Sequence, residues 1–304
     1  MSNKIQLIWV DVFTTQAFSG NPCAVYFIEG RDFPQESWMQ AMAHEMNLSE
    51  TAYVMGDLDS GFYARYFTPD KEIPLAGHPT LASVRALLEL GLISEKNLPL
   101  SFSLTLKTKT IKIDVGKDES NQIVITMHQP APEYLEKVPL DLVCPSAGIL
   151  SEQVLAGYEA QIVSTGTPML MLPVASEDVL AQIRLHPAHY SDLEAKFSFF
   201  SLHIFYWDPV KQRTLARHIG SGAEDSFTGS ATGCMAAWLW SQKLIEPGVK
   251  YTALQGQHMG RPGVGYFEVL ADNHKCTGVN LSGYTKVLLS GELKDNPYKN
   301  GVPA

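Results

Sequence analysis

The sequence predicts an α+β protein of two related halves, each wrapping a largely strand-forming chain around one central helix. Three observations predict it. The chain has 304 residues, more than a single core usually serves and comfortable for two. Shifted by 152 positions, Tyr63 to Ile93 (YARYFTPDKEIPLAGHPTLASVRALLELGLI) aligns without a gap on Leu215 to Ile245 (LARHIGSGAEDSFTGSATGCMAAWLWSQKLI). Each stretch ends in a long apolar segment of helical character, while the flanking segments read as strands.

The aligned stretches share eight identities, Ala64/Ala216, Arg65/Arg217, Glu72/Glu224, Gly77/Gly229, Thr80/Thr232, Leu87/Leu239, Leu92/Leu244 and Ile93/Ile245. Chance would supply roughly two. Upstream, Gly20-Asn21-Pro22 leads into CAVYF and Gly166-Thr167-Pro168 into MLMLPV, each a tight turn entering a buried strand. Within each repeat an Arg-containing strand is followed by an irregular loop, a Gly and a helix. The first helix runs from about Pro79 to Leu90, with Leu81, Val84, Leu87 and Leu88 at helical spacing. The second, Ala231 to Trp240, is apolar nearly all round, as a fully buried helix must be.

The other elements follow in order. Shorter helices are expected over Gln35 to Met46, Glu177 to Ile183 and Ser191 to Phe197. Leu104 to Thr110 alternates as a strand, and Lys107, Lys109 and Lys112 read as the solvated face of a strand. Ile111 to Val115 and Ile123 to Met127 flank the polar turn GKDESNQ and form a hairpin. The proline-rich stretch Gln129 to Glu152 is the expected crossing between halves. Leu202 to Trp207 and Gly265 to Leu270 are strands, the Gly-rich QGQHMGRPGVG is a turn connecting strands, and the tail NPYKNGVPA is expected to be loose.

Composition narrows the function classes. Apolar residues make up 45% and charged residues 18%, a globular balance, and the net charge of −9 carries no basic stripe for nucleic acid. The four cysteines, Cys23, Cys144, Cys234 and Cys276, match no zinc spacing and form no Cys-x-x-Cys pair, so reduced thiols are expected. No signal layout opens the chain and no apolar run has membrane-spanning length, so a cytoplasmic protein is expected, without membrane contact. Walker, Gly-x-Ser-x-Gly and His-Glu-x-x-His motifs are absent from the sequence, and no metal site is expected.

The candidate site residues lie around the two repeat helices. Gly77-His78 and Gly229-Ser230 occupy matching helix starts, where first-turn N–H groups lack intrahelical partners and the dipole is positive. If the halves face each other, both starts converge on one cleft suited to a small carboxylate. Asp225 lies four residues before Gly229, next to Glu224, a pair that reads equally as a solvated turn. Glu50 closes NLSE, flanked by the hydroxyls of Ser49 and Thr51 that could orient it, although local sequence alone favours a surface or capping residue. His78 is equally a capping histidine. Cys234, inside the second helix, reads as packing.

Together, DVFTTQAFSGNPCAV, NLSETAYV, RYFTPDKEIPLAGHPT, EDSFTGSATG and GQHMGRPG resemble the phenazine-biosynthesis PhzF-like family over nearly the whole chain and in the right order. The resemblance implies the diaminopimelate epimerase-like fold, two pseudo-symmetric domains, each a curled antiparallel sheet around a central helix. The domains would be residues 1–128 with about 284–304, holding a helix near 78–92, and 129–283, holding one near 230–244. It implies an isomerase, in homodimers, that moves a proton on a dihydro-hydroxyanthranilate-like carboxylate without metal or organic cofactor. Glu50 would be the acid/base carboxylate. His78, Asp225 and Ser230 would hold the substrate, and Asn21, Gly77 and Gly229 would line the anion site. Such chemistry needs a carboxylate partly withdrawn from water. Two-base racemases of this fold carry a cysteine before each helix-leading Gly; here those positions are Ala76 and Thr228, which disfavours a thiol-pair epimerase. Ser226 stands where the family usually has Pro, and Phe227 is expected to add bulk near the cleft, so the substrate could differ. The competing reading is a non-catalytic small-molecule binding protein on the same scaffold.

Overall fold

Strand β1 (Ile5–Val12) pairs antiparallel with β2 (Asn21–Ile28), which leads through α1 (Glu36–Met46) to β3 (Thr51–Asp57), β4 (Gly61–Phe67), β5 (Glu72–Ile73) and α2 (Gly77–Glu89). The chain continues as β6 (Leu100–Thr105), β7 (Thr110–Lys117), β8 (Ile123–Pro130), β9 (Glu133–Val138), α3 (Leu140–Ala147), β10 (Ala160–Ser164), β11 (Pro168–Pro173), α4 (Glu177–Gln182) and α5 (Pro187–Lys196). It ends with β12 (Leu202–Asp208), β13 (Arg213–Ile219), β14 (Glu224–Asp225), α6 (Gly229–Ser241), β15 (Tyr251–Gln255), β16 (Gly263–Asp272), β17 (Lys275–Gly283) and β18 (Thr285–Glu292). This computed structural model describes residues 4–30, 32–220, 224–294 and 297–298. The expected loose tail, apart from Pro297 and Tyr298, and positions 221–223 of the acidic loop lie outside them. The contacts divide the chain into Met1–His128 with Ser282–Ala304, and Gln129–Leu281.

In the first unit β1–β2 is antiparallel, β2–β3 parallel, β3–β4 antiparallel, β4–β6 parallel and β6–β7 antiparallel. In the second the same order of directions recurs through β10–β11, β11–β12, β12–β13, β13–β15 and β15–β16. Helices α2 and α6 are each 13 residues long and start 152 positions apart. Registers in the preceding hairpin differ by one residue, because β3 turns into β4 between Asp57 and Gly61 whereas β12 turns into β13 between Asp208 and Arg213.

Both repeat helices are buried almost all round. In α2 every position from Gly77 to Leu88 is buried except Arg85, and in α6 every position from Gly229 to Leu239 is buried. Pro79 is tolerated because it falls in the first turn, where its missing N–H would have no intrahelical partner. The two helices stop alike: Leu92 N–H donates to Leu87 C=O at 3.0 Å and Leu244 N–H to Leu239 C=O at 3.0 Å. The left-handed residue between is Gly91 (φ 72°) in one and Lys243 (φ 60°) in the other. On its outer side the first unit packs Met39 and Ala43 of α1 against Tyr26, Tyr53 and Phe67, with the Tyr53 hydroxyl donating to Met39 C=O at 2.6 Å.

Three expectations need correction. Leu104 to Thr110 is not one strand: Leu106 N–H donates to Lys109 C=O at 2.7 Å, so β6 ends in a tight turn and β7 starts afresh. Lys107 therefore sits in a turn, its ammonium 2.6 Å from Glu72, and is no part of a solvated strand face. Gln129 to Glu152, the expected crossing, begins where the second unit begins and holds β9 and α3, with Val143, Cys144 and Ala147 in the core of that unit. The helix expected from Ser191 begins four residues earlier, at Pro187, a residue suited to a first turn. The hairpin of β7 and β8 and the turn role of QGQHMGRPGVG, between β15 and β16, are as read from the sequence.

Candidate active site

In the first unit, four of the expected residues come together. Asn21 opens β2, Glu50 precedes β3, and Gly77-His78 opens α2. The Glu50 Oε2 atom lies 3.4 Å from His78 Nε2, with side-chain exposures of 16% and 3%. Asn21 Nδ2 lies 3.1 Å from His78 Nδ1, and Ser49 Oγ donates to Asn21 Oδ1 at 3.3 Å. Ser49 thus serves Asn21 rather than Glu50, and the Thr51 hydroxyl is buried without a hydrogen-bond partner. Residue types dictate this convergence. The Gly20 turn (φ 62°), where a Cβ would lie 2.0 Å from Val12 C=O, drops the chain into β2 with Asn21 facing the helix start.

Burial pushes the His78 imidazole down to about 3, with a smaller opposing effect from the Pro22 carbonyl. The helix N-terminus also disfavours a cation there. The ring is therefore neutral beside Glu50, and the pair is a polar contact and not an ion pair. Cys23 packs behind, fully buried, its thiol raised first by burial and then by the charge of Glu50. No side-chain hydrogen bond caps α2.

In the second unit Asp225 closes β14 and accepts a short hydrogen bond from Thr228 Oγ1. Gln255 locks the same corner, donating to Asp225 C=O at 2.8 Å and accepting from Thr228 N–H at 3.2 Å. Glu224 and Asp225 are thus a short, half-buried strand rather than a solvated turn. Gly229 and Ser230 open α6, both buried, again without a side-chain cap. Behind them Gln129 Nε2 donates to Gly229 C=O at 2.9 Å, and Thr165 Oγ1 donates to Gln129 Oε1. A Cβ at Gly233 would lie 1.9 Å from that Gln129 oxygen. Cys234 is fully buried and its thiol raised to about 11 by burial, which suits packing and not a base. Phe227 is fully buried as well, so its bulk belongs to the core.

Gln129, Thr165 and Gln255 escaped the sequence reading. Gln129 acts on a residue 100 positions away, for which local sequence carries no signal. Gln255 had one available, since it immediately precedes GQHMGRPG. Among the described residues no group of three or more His, Cys, Asp or Glu side chains could hold a metal ion. No helix among them is long and apolar enough to cross a membrane.

The chain as a whole has relatives among known proteins. The phenazine biosynthesis-like protein family matches residues 10–291. The chain belongs to this family. An uncharacterized isomerase of Clostridium acetobutylicum is 30% identical over 96% of this chain and 99% of its own length. A trans-2,3-dihydro-3-hydroxyanthranilate isomerase of Pseudomonas fluorescens is 30% identical over 90% of this chain and 94% of its own. A PhzF-family protein of Bacillus anthracis has the same fold, with a TM-score of 0.81, 25% identity, and coverage of 95% and 99%. At 11% identity, a hydroxyproline epimerase from Agrobacterium vitis shares the fold with a TM-score of 0.69. The α+β architecture is therefore that of the phenazine-biosynthesis and proline-racemase-like proteins, and the reaction class that goes with membership is isomerisation.

Proposed function

We propose that this phenazine biosynthesis-like protein moves a proton between two carbons of a small cyclic or amino carboxylate, dihydro-hydroxyanthranilate-like, bound in a cleft between its two halves, with no metal or organic cofactor. The observation that carries the reading is the Glu50–His78 contact of 3.4 Å at an uncapped helix start. A carboxylate with 16% exposure is partly withdrawn from water, as a carbon base must be, yet open enough to meet a substrate. Because His78 is neutral, it does not quench Glu50 as an ion-pair partner would, and it can still hydrogen-bond the substrate.

Glu50 takes a proton from one carbon, charge spreads into the conjugated carboxylate, and the same carboxylic acid returns the proton to another carbon. Proton and electrons balance within one molecule, and an enol product then relaxes to the ketone. The first-turn N–H groups at Gly77 and Gly229, together with Asn21 and Ser230, hold the carboxylate and stabilise the developing charge. Asp225, fixed by Thr228, orients the substrate's polar group.

The test follows wild-type and Glu50→Gln protein with trans-2,3-dihydro-3-hydroxyanthranilate in D₂O, reading product and deuterium together. Wild type is expected to form product and the variant to bind without turnover. Undiminished turnover by Glu50→Gln removes the reading, and binding without turnover by wild type turns the chain into a binding protein.

A further inference from the structure

We propose that Gln129 is a positioning residue for substrate binding: its side-chain amide fixes and polarises the Gly229–Ser230 peptide, so that the Ser230 N–H grips the substrate's carboxylate. The inference rests on the function proposed above, in which the start of α6 helps to hold that carboxylate.

The device is one peptide plane. Gln129 Nε2 donates to Gly229 C=O at 2.9 Å, and the N–H on the other side of the same peptide bond belongs to Ser230. In the first turn of a helix this N–H has no intrahelical partner. A donor on the carbonyl makes the N–H a better donor in turn, because linked hydrogen bonds polarise one another where water is excluded. Gln129 and Gly229 are both buried, so the bond is shielded from water. The other end of the amide is held as well, since the buried Thr165 hydroxyl donates to Gln129 Oε1. With its oxygen engaged there, the amide presents its nitrogen to Gly229.

Helix α6 gives up a side chain to make room. Gly233 lies inside the helix, where glycine is less favourable than alanine. A Cβ there would lie 1.9 Å from Gln129 Oε1 and 2.8 Å from its Nε2. The matching position of α2, 152 residues earlier, is the buried Leu81. The strand by which the chain re-enters the first unit carries Gly283 there, whose Cβ would lie 3.3 Å from Leu81 Cδ2 and 2.6 Å from the Phe13 ring. Large and small have changed places. The first unit fills this space from the helix, with hydrocarbon, and the second fills it from the strand, with an amide. Packing is satisfied by either arrangement, whereas only the second puts a hydrogen-bond donor on the helix's first carbonyl.

Three variants of the full chain separate positioning from packing. Gln129→Met keeps the volume and removes the donor. Gly233→Ala keeps the glutamine and occupies the place of its amide. The double variant Gln129→Gly/Gly233→Leu installs the pair found in the first unit. With trans-2,3-dihydro-3-hydroxyanthranilate, each is expected to raise KM by about tenfold, the order of one hydrogen bond. A smaller fall in kcat is expected, since the carboxylate is gripped before proton transfer as well as during it. A packing defect alone would instead lower the active fraction, and with it kcat, at unchanged KM. Unchanged KM in Gln129→Met, or wild-type KM in the double variant, overturns the positioning role and leaves the Glu50 reading standing. If the double variant folds poorly, Gly233→Ala decides by the same criterion. If wild type binds without turnover, Kd decides in place of KM. A wild type that neither binds nor converts the compound removes both readings.

Discussion

The starts of α2 and α6 share a scaffold and differ in chemistry. In both units an Arg of the preceding strand clamps the Glu that opens the next short strand. Arg65 Nε lies 2.8 Å from Glu72 Oε1, and Arg217 Nε lies 2.8 Å from Glu224 Oε1. Both helices begin uncapped, run 13 residues and stop on a left-handed residue. At the second helical position, however, one carries a buried, neutral histidine beside a carboxylate and the other a serine. The acid of the second unit is already engaged by the Thr228 hydroxyl. Backbone hydrogen bonding and the Arg–Glu clamp tolerate divergence in the side chains around them. The first unit therefore pairs its helix start with a carboxylate and an imidazole, and the second with a carboxylate and two hydroxyls.

The largest effect expected to sharpen the contrast is kinetic. Glu50→Gln should lower kcat by about 10²–10⁴-fold, the usual span for a lost acid/base group. Asp225→Asn should mainly raise KM. Steady-state kinetics on both variants decide it, and equal losses in kcat with unchanged KM would move proton transfer to the second unit as well.

The clamps should break unequally. Arg217 has 11% side-chain exposure and also donates to Ile183 C=O at 2.9 Å, so Arg217→Leu strands both Glu224 and a carbonyl. Losing one partner of such a pair costs about 3–5 kcal/mol. Arg65→Leu should cost clearly less, because Lys107 stays 2.6 Å from Glu72. Urea unfolding midpoints of the two variants test this, and equal shifts would show that Lys107 does not compensate.

A third contrast concerns pH. In the second unit His203 and His218 are fully buried, 3.3 Å apart at their Nδ1 atoms, with Ser201 Oγ 2.6 Å from His218 Nε2. Burial lowers both, His218 to about 3, and His203 further feels His218. Unfolding lets them protonate below the ordinary value of 6.5, so their contribution to stability is full above that pH and drains as pH falls from 6.5 toward 3. Each histidine adds a slope of roughly 1.4 kcal/mol per pH unit within that window. His218→Gln should flatten the fall in urea midpoint between pH 6.5 and 5; an unaltered slope would mean the pair is not the source.

The smallest effect lies at the helix stops. Lys243 holds a left-handed conformation that Gly91 adopts freely in the matching place. Lys243→Gly should raise stability by about 0.5–1 kcal/mol, since an L-residue pays roughly 1–2 kcal/mol there and glycine returns part of the gain in unfolded-chain entropy. A thermal unfolding midpoint unchanged or lowered would show that lysine is not strained.

The sequence alone carried the α+β class, the two repeat helices, the β7–β8 hairpin and the turn before β16, because those depend on periodicity and on turn residues close together in the chain. It also marked Gly77 and Gly229 as helix starts, through the ungapped repeat. It misread Leu104 to Thr110 as one strand, since alternation passes unbroken across a turn that lacks Gly, Pro and Asn. Only the tertiary structure decided that His78 is neutral beside Glu50, that Ser49 serves Asn21, and that Gln129 braces Gly229. Those depend on burial and on partners between 28 and 100 residues apart, which no local pattern in the chain encodes.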